Sequence, residues 1–376
     1  MKLLRKTTTA AAALLATAAF ADVNVGISLS LTGPGSGLGI PMNNYYTKSF
    51  PKTIGGEKVN LIIADDATDP GKGVANVRRF ITEDKVDVII GSTITPVAAA
   101  IAPLAAESKT VQLAASPVGV PDDSWTFRLP QGNDVMMHPI MLHMKKHGVK
   151  TVGFIGYTDA YGELWLKALN AAAAEGGFKV VAVERFGRTD TSVTPQALKL
   201  SSANPDAMLI VASGSGAAMP HKAIIERGYK GKIYQTHAAA TPDLVRIGGK
   251  DVEGSFVVSG PAVIAEQLPD SHPSKKAAID FVTKYEKAVG PNSRNQFAGH
   301  AYDAAIALEK VVPAALKKAK PGTPEFRAAL RDGLETMGRT IFAHGVMNWT
   351  KDDHWGYTNE TGVMLKVVDG KFVVEK

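Results

Sequence analysis

Short apolar runs rich in valine and isoleucine alternate with helical patterns through most of the chain. That alternation narrows the fold more than any other feature of the sequence. Runs at 23–31, 59–64, 86–90, 110–114, 151–156, 179–185, 207–212, 232–235 and 255–259 read as strands. Continuously apolar runs of this kind suit parallel strands covered on both faces. Between them lie helical stripes, such as Val74, Val77 and Ile81, or Trp165, Ala168, Leu169 and Ala172. In the first such interval, however, residues 42–50 read as at most a short helix. The expected class is α/β, with two doubly wound parallel-sheet lobes.

The rhythm breaks at 122–134 (DDSWTFRLPQGND) and at Gly260-Pro261, and a further irregular stretch covers 345–361. These breaks place interlobe crossings near Leu129, Gly260 and Ala343, a three-segment hinge. Lobe one is expected over 22–130 and 261–344, lobe two over 131–260 and 345–376. Lobes tied in this way close like a hinge around a cleft. Asp369-Gly370 between two apolar runs reads as a hairpin turn.

The N-terminus reads as a cleavable secretory signal. Lys2, Arg5 and Lys6 precede an apolar stretch at 10–20, and Ala19-Phe20-Ala21 is an A-x-A site with cleavage after Ala21. The expected location is the periplasm, and no later run is long enough to span a bilayer. The formal net charge of +6 owes three positives to that leader. The rest is too mildly basic to suggest nucleic acid. The chain has no cysteine, which excludes disulfides, thiolate catalysis and Cys-based metal sites. No metal or cofactor is expected, and nothing demands more than a monomer.

Candidate chemistry sits where strands end. The run at 86–90 stops at Gly91, and Ser92, Thr93 and Thr95 follow, with Pro96 suited to a first helical turn. Thr95 is expected to cap the helix. Hydroxyls beside a helix N-terminus, with its free N–H groups and positive dipole end, suit a carboxylate. Ala115 and Ser116 follow the next strand, Tyr161 opens the helix after 151–156, and Ser213 follows 207–212. Tyr161 is expected to lay its ring over a ligand and donate its hydroxyl to it. The glycine-rich stretch Thr32 to Gly39 fits neither a dinucleotide loop nor a P-loop. Its glycines instead let backbone approach a ligand.

Several stretches together resemble the periplasmic solute-binding proteins of branched-chain amino acid ABC transporters, the type 1 periplasmic binding fold. They are LTGPGSGLG, DDATDP, VDVIIGSTITPVAAAIAPLAAE, TDAYGELW, RTDTSVTPQALKL, NPDAMLI and HAYDAAIALE. The resemblance implies a non-enzymatic protein that binds a small carboxylate in its cleft and hands it to a membrane permease. By position it assigns the carboxylate to Thr93 or Thr95 and to the backbone at Ala115 and Ser116. Tyr161 would close from lobe two, and Leu38 stands where relatives often carry an aromatic ring.

One departure bears on the ligand. Amino-acid-binding relatives pair the ligand ammonium with an acid on a lobe-two loop. Here that loop reads Gln235-Thr236-His237-Ala238-Ala239-Ala240, with no acid before Asp243. An ammonium left unpaired there would carry a desolvation penalty of several kcal/mol. The chain therefore looks closer to the branch that binds benzoates and hydroxycinnamates, with His237 facing a ligand hydroxyl. Branched-chain amino acid binding, or a sensor role for a receptor, are the alternatives. His143 and His147, one helical turn apart, read as a solvated face with no carboxylate near in sequence. His344, Asp353 and His354 read as structural, and Tyr302-Asp303 as a hinge brace.

Overall fold

The computed structural model describes residues 22–121 and 123–375; the leader and its cleavage site lie outside them. The first half runs β1 (Val23–Leu29), α1 (Ser36–Lys48), β2 (Thr53–Ile54), β3 (Glu57–Asp65), α2 (Pro70–Thr82), β4 (Val88–Gly91), α3 (Thr95–Glu107), β5 (Val111–Ala114) and β6 (Thr126–Arg128). These strands form one sheet in the order β2-β3-β1-β4-β5-β6, parallel apart from the short β2–β3 ribbon.

The second sheet follows α4 (Asn133–Lys146). It is built from β7 (Thr151–Tyr157), α5 (Ala160–Gly176), β8 (Lys179–Phe186), α6 (Thr194–Ala203), β9 (Ala207–Val211), α7 (Ala218–Ile225), β10 (Lys232–Gln235), α8 (Pro242–Gly248) and β11 (Phe256–Ser259). Three helices come next: α9 (Lys275–Val289), α10 (Gln296–Leu316) and α11 (Pro324–Thr336). They return to the first sheet, α10 packing on α1 and α11 meeting β5. A small hairpin, β12 (Thr340–Phe342) and β13 (Gly345–Met347), precedes β14 (Val363–Val368) and β15 (Lys371–Val374). The last two add antiparallel to β11, giving the order β15-β14-β11-β10-β9-β7-β8. Their turn residues Asp369 and Gly370 both take positive φ, as a tight two-residue hairpin needs.

The protein is thus α/β with two parallel-sheet lobes, and the strand positions follow the apolar runs closely. Three local readings need correction. Residues 42–50 are not a short helix but the C-terminal part of the 13-residue α1, which starts inside the glycine-rich loop. Gly39 permits this: a Cβ there would stand 2.1 Å from the Ser30 carbonyl oxygen. Residues 122–134 are not only a crossover, because β6 lies within them at the sheet edge and α4 begins there. Thr95 is not the cap of α3; Ile94 takes that position and Thr95 is the first helical residue.

Where the chain crosses between sheets, its three passages touch. Gln131 donates from Nε2 to the His344 carbonyl at 3.0 Å, and Gly260 lies against both side chains. Asp303 of α10 accepts from the backbone N–H of Ala343 at 2.6 Å and stands 2.8 Å from His344 Nδ1.

Candidate ligand-binding site

Each sheet has one place where strand order reverses direction, and such switch points open the crevice in which α/β proteins hold ligands. In the first sheet it lies between β1 and β4, in the second between β7 and β9. The chain segments leaving these strands converge on one cavity between the lobes. Leu38, Thr93, Thr95, Ala115, Ser116, Tyr161, Ser213 and His237, the residues singled out from sequence, all line it. Ile94, Pro117, Pro130, Arg188, Phe297 and His300 join them.

On the lobe-one side the turn after β4 is anchored from below. The buried Asp66 carboxylate accepts the hydroxyls of Ser30 at 2.5 Å and Ser92 at 2.6 Å. Burial outweighs those bonds and raises its pKa. Ser116 spends its hydroxyl on the Ser92 carbonyl at 3.0 Å, which ties the β5 turn to the β4 turn. Gly91 passes so close to Ser28 that a Cβ would overlap the Ser28 carbonyl oxygen. Thr93 and Thr95 are left over: both are buried, and neither hydroxyl has a hydrogen-bond partner. They stand beside the first turn of α3, whose N–H groups carry the positive end of the helix dipole.

The lobe-two side is built on Asp159, the cap of α5. Its carboxylate accepts from the Tyr161 N–H at 2.9 Å and from Arg188 Nε at 2.6 Å. The Arg188 guanidinium lies 4.0 Å from the Tyr157 ring centroid and also donates to the Ser213 hydroxyl at 3.2 Å. Tyr161 presents its ring to the cavity, but its hydroxyl is engaged. Thr236 Oγ1 donates to the Ala212 carbonyl at 3.2 Å, so Tyr161 Oη donates to Thr236, 2.8 Å away. Burial holds the Tyr161 pKa well above the usual phenol value. A hydroxyl committed in this way braces lobe two and has no proton left to donate to a ligand in this geometry.

Two neutral histidines complete the wall. His237 is buried against Trp165, with no partner on Nδ1, and burial pushes its pKa down to about 3. His300 of α10 has no partner on either ring nitrogen and stacks on His344 at 4.1 Å; its pKa too is driven down by burial. Although His300, Asp303 and His344 lie close together, they are a poor metal cage. The Asp303 oxygens are already engaged by the N–H groups of Ala343 and His344 and by His344 Nδ1. Among the described residues no Asp or Glu lines the cavity. It offers hydroxyls, neutral imidazoles and one guanidinium.

Arg188, Phe297 and His300 escaped the sequence reading. Arg188 and His300 open the stretches RTDTSVTPQALKL and HAYDAAIALE, which carry the family resemblance but no site assignment. The signal that could have raised them was a cation and an imidazole at motif edges, but neither follows a central strand. Only the return of α10 to the first lobe brings His300 to the cleft.

The sequence profile of periplasmic binding proteins matches residues 22–371. The chain belongs to the periplasmic binding protein family. This binding protein is 45% identical to an extracellular ligand-binding receptor from Rhodopseudomonas palustris HaA2, with a TM-score of 0.92 over 95% of this chain and 100% of that one. It is 25% identical over 212 residues to Leu/Ile/Val-binding protein homolog 3 of Brucella melitensis, a match spanning 54% of this chain and 56% of that relative's length. It shares its fold with a solute binding protein of an ABC transporter from Rhodopseudomonas palustris BisB5, crystallised with 3,4-dihydroxy benzoic acid. That likeness has 23% identity and a TM-score of 0.77, over 94% of this chain and 96% of that one.

Proposed function

We propose that the protein is the periplasmic substrate-binding component of an ABC importer and captures a small aromatic carboxylate of the benzoate or hydroxycinnamate type. One observation carries the ligand class: the cavity holds unpartnered hydroxyls and a guanidinium but, among the described residues, no acid. A carboxylate finds donors there, whereas an α-ammonium finds no anion to offset its desolvation. Tyr161, Phe297 and Leu38 supply apolar surface for a ring, and His237 and His300 supply neutral nitrogens for a ring hydroxyl. The likeness in fold to a solute binding protein crystallised with 3,4-dihydroxy benzoic acid supports this reading. The lobes, taken as 22–130 with 261–344 and 131–260 with 345–376, close over the ligand, and a membrane permease receives the closed form. No bond is made or broken in this role.

Branched-chain amino acid binding is the second reading, favoured by the likeness to the Brucella homologue. Titration calorimetry with p-coumarate, benzoate and leucine separates the two. The expected result is saturable binding of an aromatic acid and none of leucine; tight leucine binding without an aromatic response overturns the proposal. Thr93→Val and Thr95→Val then identify the anchor. The hydroxyl that holds the carboxylate contributes about 1–3 kcal/mol, a loss of roughly 5- to 150-fold in affinity.

A further inference from the structure

At the far end of α4, His143 and His147 stand one turn apart, and the C-terminal segment brings Glu375 to them. The sequence reading found no carboxylate near these histidines and took them for a solvated face. The structure corrects both points: His143 is buried, and the backbone N–H of Glu375 is pinned to the Met364 carbonyl at 2.9 Å beside it. One ligand atom from each of the three residues lies within 4.8 Å of the others. The imidazole rings are 4.3 Å apart and tilted by 44°.

The surroundings of His143 select a cation. Its Nδ1 is 2.8 Å from Tyr234 Oη, which fixes the ring. Its Nε2 is buried, makes no hydrogen bond and stands 3.6 Å from Glu375 Oε1. In the tautomer that gives its Nδ1 proton to the Tyr234 oxygen, a bare Nε2 lone pair and the Glu375 carboxylate face each other 3.6 Å apart, too far for a hydrogen bond and open to a shared cation. We infer that His143, His147 and Glu375 form a binding site for a divalent transition-metal ion, zinc above all, with water in the fourth position.

Two imidazoles and one carboxylate are a donor set that zinc accepts, at about 2.0–2.2 Å from each ligand. Tyr234 acts behind His143 as the partner that orients a ligating ring. His147 is exposed and gives the ion its way in. Lys146, Lys232 and Lys366 lie close enough to depress the histidine pKa values. Their charge opposes the ion, and Glu375 offsets part of it. The metal would staple the β14–β15 hairpin to α4, and none of its three ligands lines the cavity, so the inference does not depend on the proposed ligand.

The test uses the full mature chain, free of any purification tag, titrated with Zn²⁺ by calorimetry and with Co²⁺ by visible absorption. One equivalent is expected to bind, with tetrahedral cobalt bands and a higher melting temperature. His147→Ala and Glu375→Gln should each weaken Zn²⁺ by more than about tenfold, and Tyr234→Phe by about 10- to 100-fold. All three variants should keep the parent's circular dichroism spectrum and its cooperative melting in the absence of metal, which guards against misfolding. Failure to saturate with Zn²⁺, or equal Zn²⁺ affinity in parent and variants, overturns the site and leaves a Tyr234–His143–Glu375 polar chain in its place.

Discussion

His237 and His300 are buried beside the cavity, and their protonation state bears on how pH acts on the protein. Burial pushes His237 down to about 3 and holds His300 far below its ordinary value. His221 is pushed down to about 4, its Nδ1 facing Gln235 Nε2 at 3.1 Å. As pH falls below 6.5, the unfolded chain takes up protons that these folded side chains refuse. Each then costs about 1.4 kcal/mol of stability per pH unit until its own folded pKa is reached. Asp87 works the other way: burial raises it to about 6, so its folded form is protonated first and gains stability as pH falls toward the ordinary carboxylate range. Asp66 is raised as well, but the histidines whose pKa is lowered by burial outnumber these two carboxylates, so melting temperatures should drop steadily from pH 6.5 to pH 4. Ligand affinity should stay flat from pH 8 to pH 6, because no cavity histidine titrates there. An affinity that climbs as pH falls through 6.5 would mean that a protonated histidine holds the carboxylate. At this scale the sequence was legible where chemistry followed a strand directly, as with Thr93 and Thr95. It was silent on what each hydroxyl is bonded to. Ser116 and Tyr161 line the cavity, yet their hydroxyls are bonded within the protein.

The elements repeat this pattern. Strands were readable because full burial demands apolar runs, and the observed strand positions follow those runs. α1 was underestimated because its sequence, SGLGIPMNNYYTK, is rich in poor helix formers and shows little amphipathic contrast. Packing against the end of β1 makes it a helix, through a contact that only glycine allows. Gly39→Ala would drive a methyl into the Ser30 carbonyl, with rigid backbone on both sides. The expected cost is about 1–3 kcal/mol or more, seen as a lower urea midpoint with an unchanged slope. Since α1 also carries Leu38 to the cavity, ligand affinity should fall in the same variant. Full stability in Gly39→Ala would show that α1 rides more loosely on β1 than this geometry requires. The β6 strand escaped notice for another reason: three residues beside prolines are too few to show a period.

For the whole molecule, alternation predicted two sheets, but sequence could not tell that both switch points face one another across the cleft. That depends on how the three crossings are held. They meet at one small residue. Gly260 has φ −78° and ψ 168°, a conformation open to alanine, so a methyl there adds bulk without straining the backbone. That methyl would stand 2.5 Å from Gln131 Nε2 and 2.9 Å from His344 Cδ2. Gln131 must then give way and release the His344 carbonyl, the bond that joins the first crossing to the third. Across the cleft, Leu38 already lies close to Gly214, a contact between the lobes that closure would bring about. Apparent affinity scales with the fraction of molecules able to reach the closed form. Gly260 does not line the cavity, so Gly260→Ala should weaken ligand by changing that fraction alone. Calorimetry should show lower affinity, and small-angle scattering a smaller ligand-induced drop in radius of gyration than in the parent. Unchanged affinity with an unchanged drop would mean that the crossings bend elsewhere and that the Gln131–Gly260–His344 junction is a passive joint.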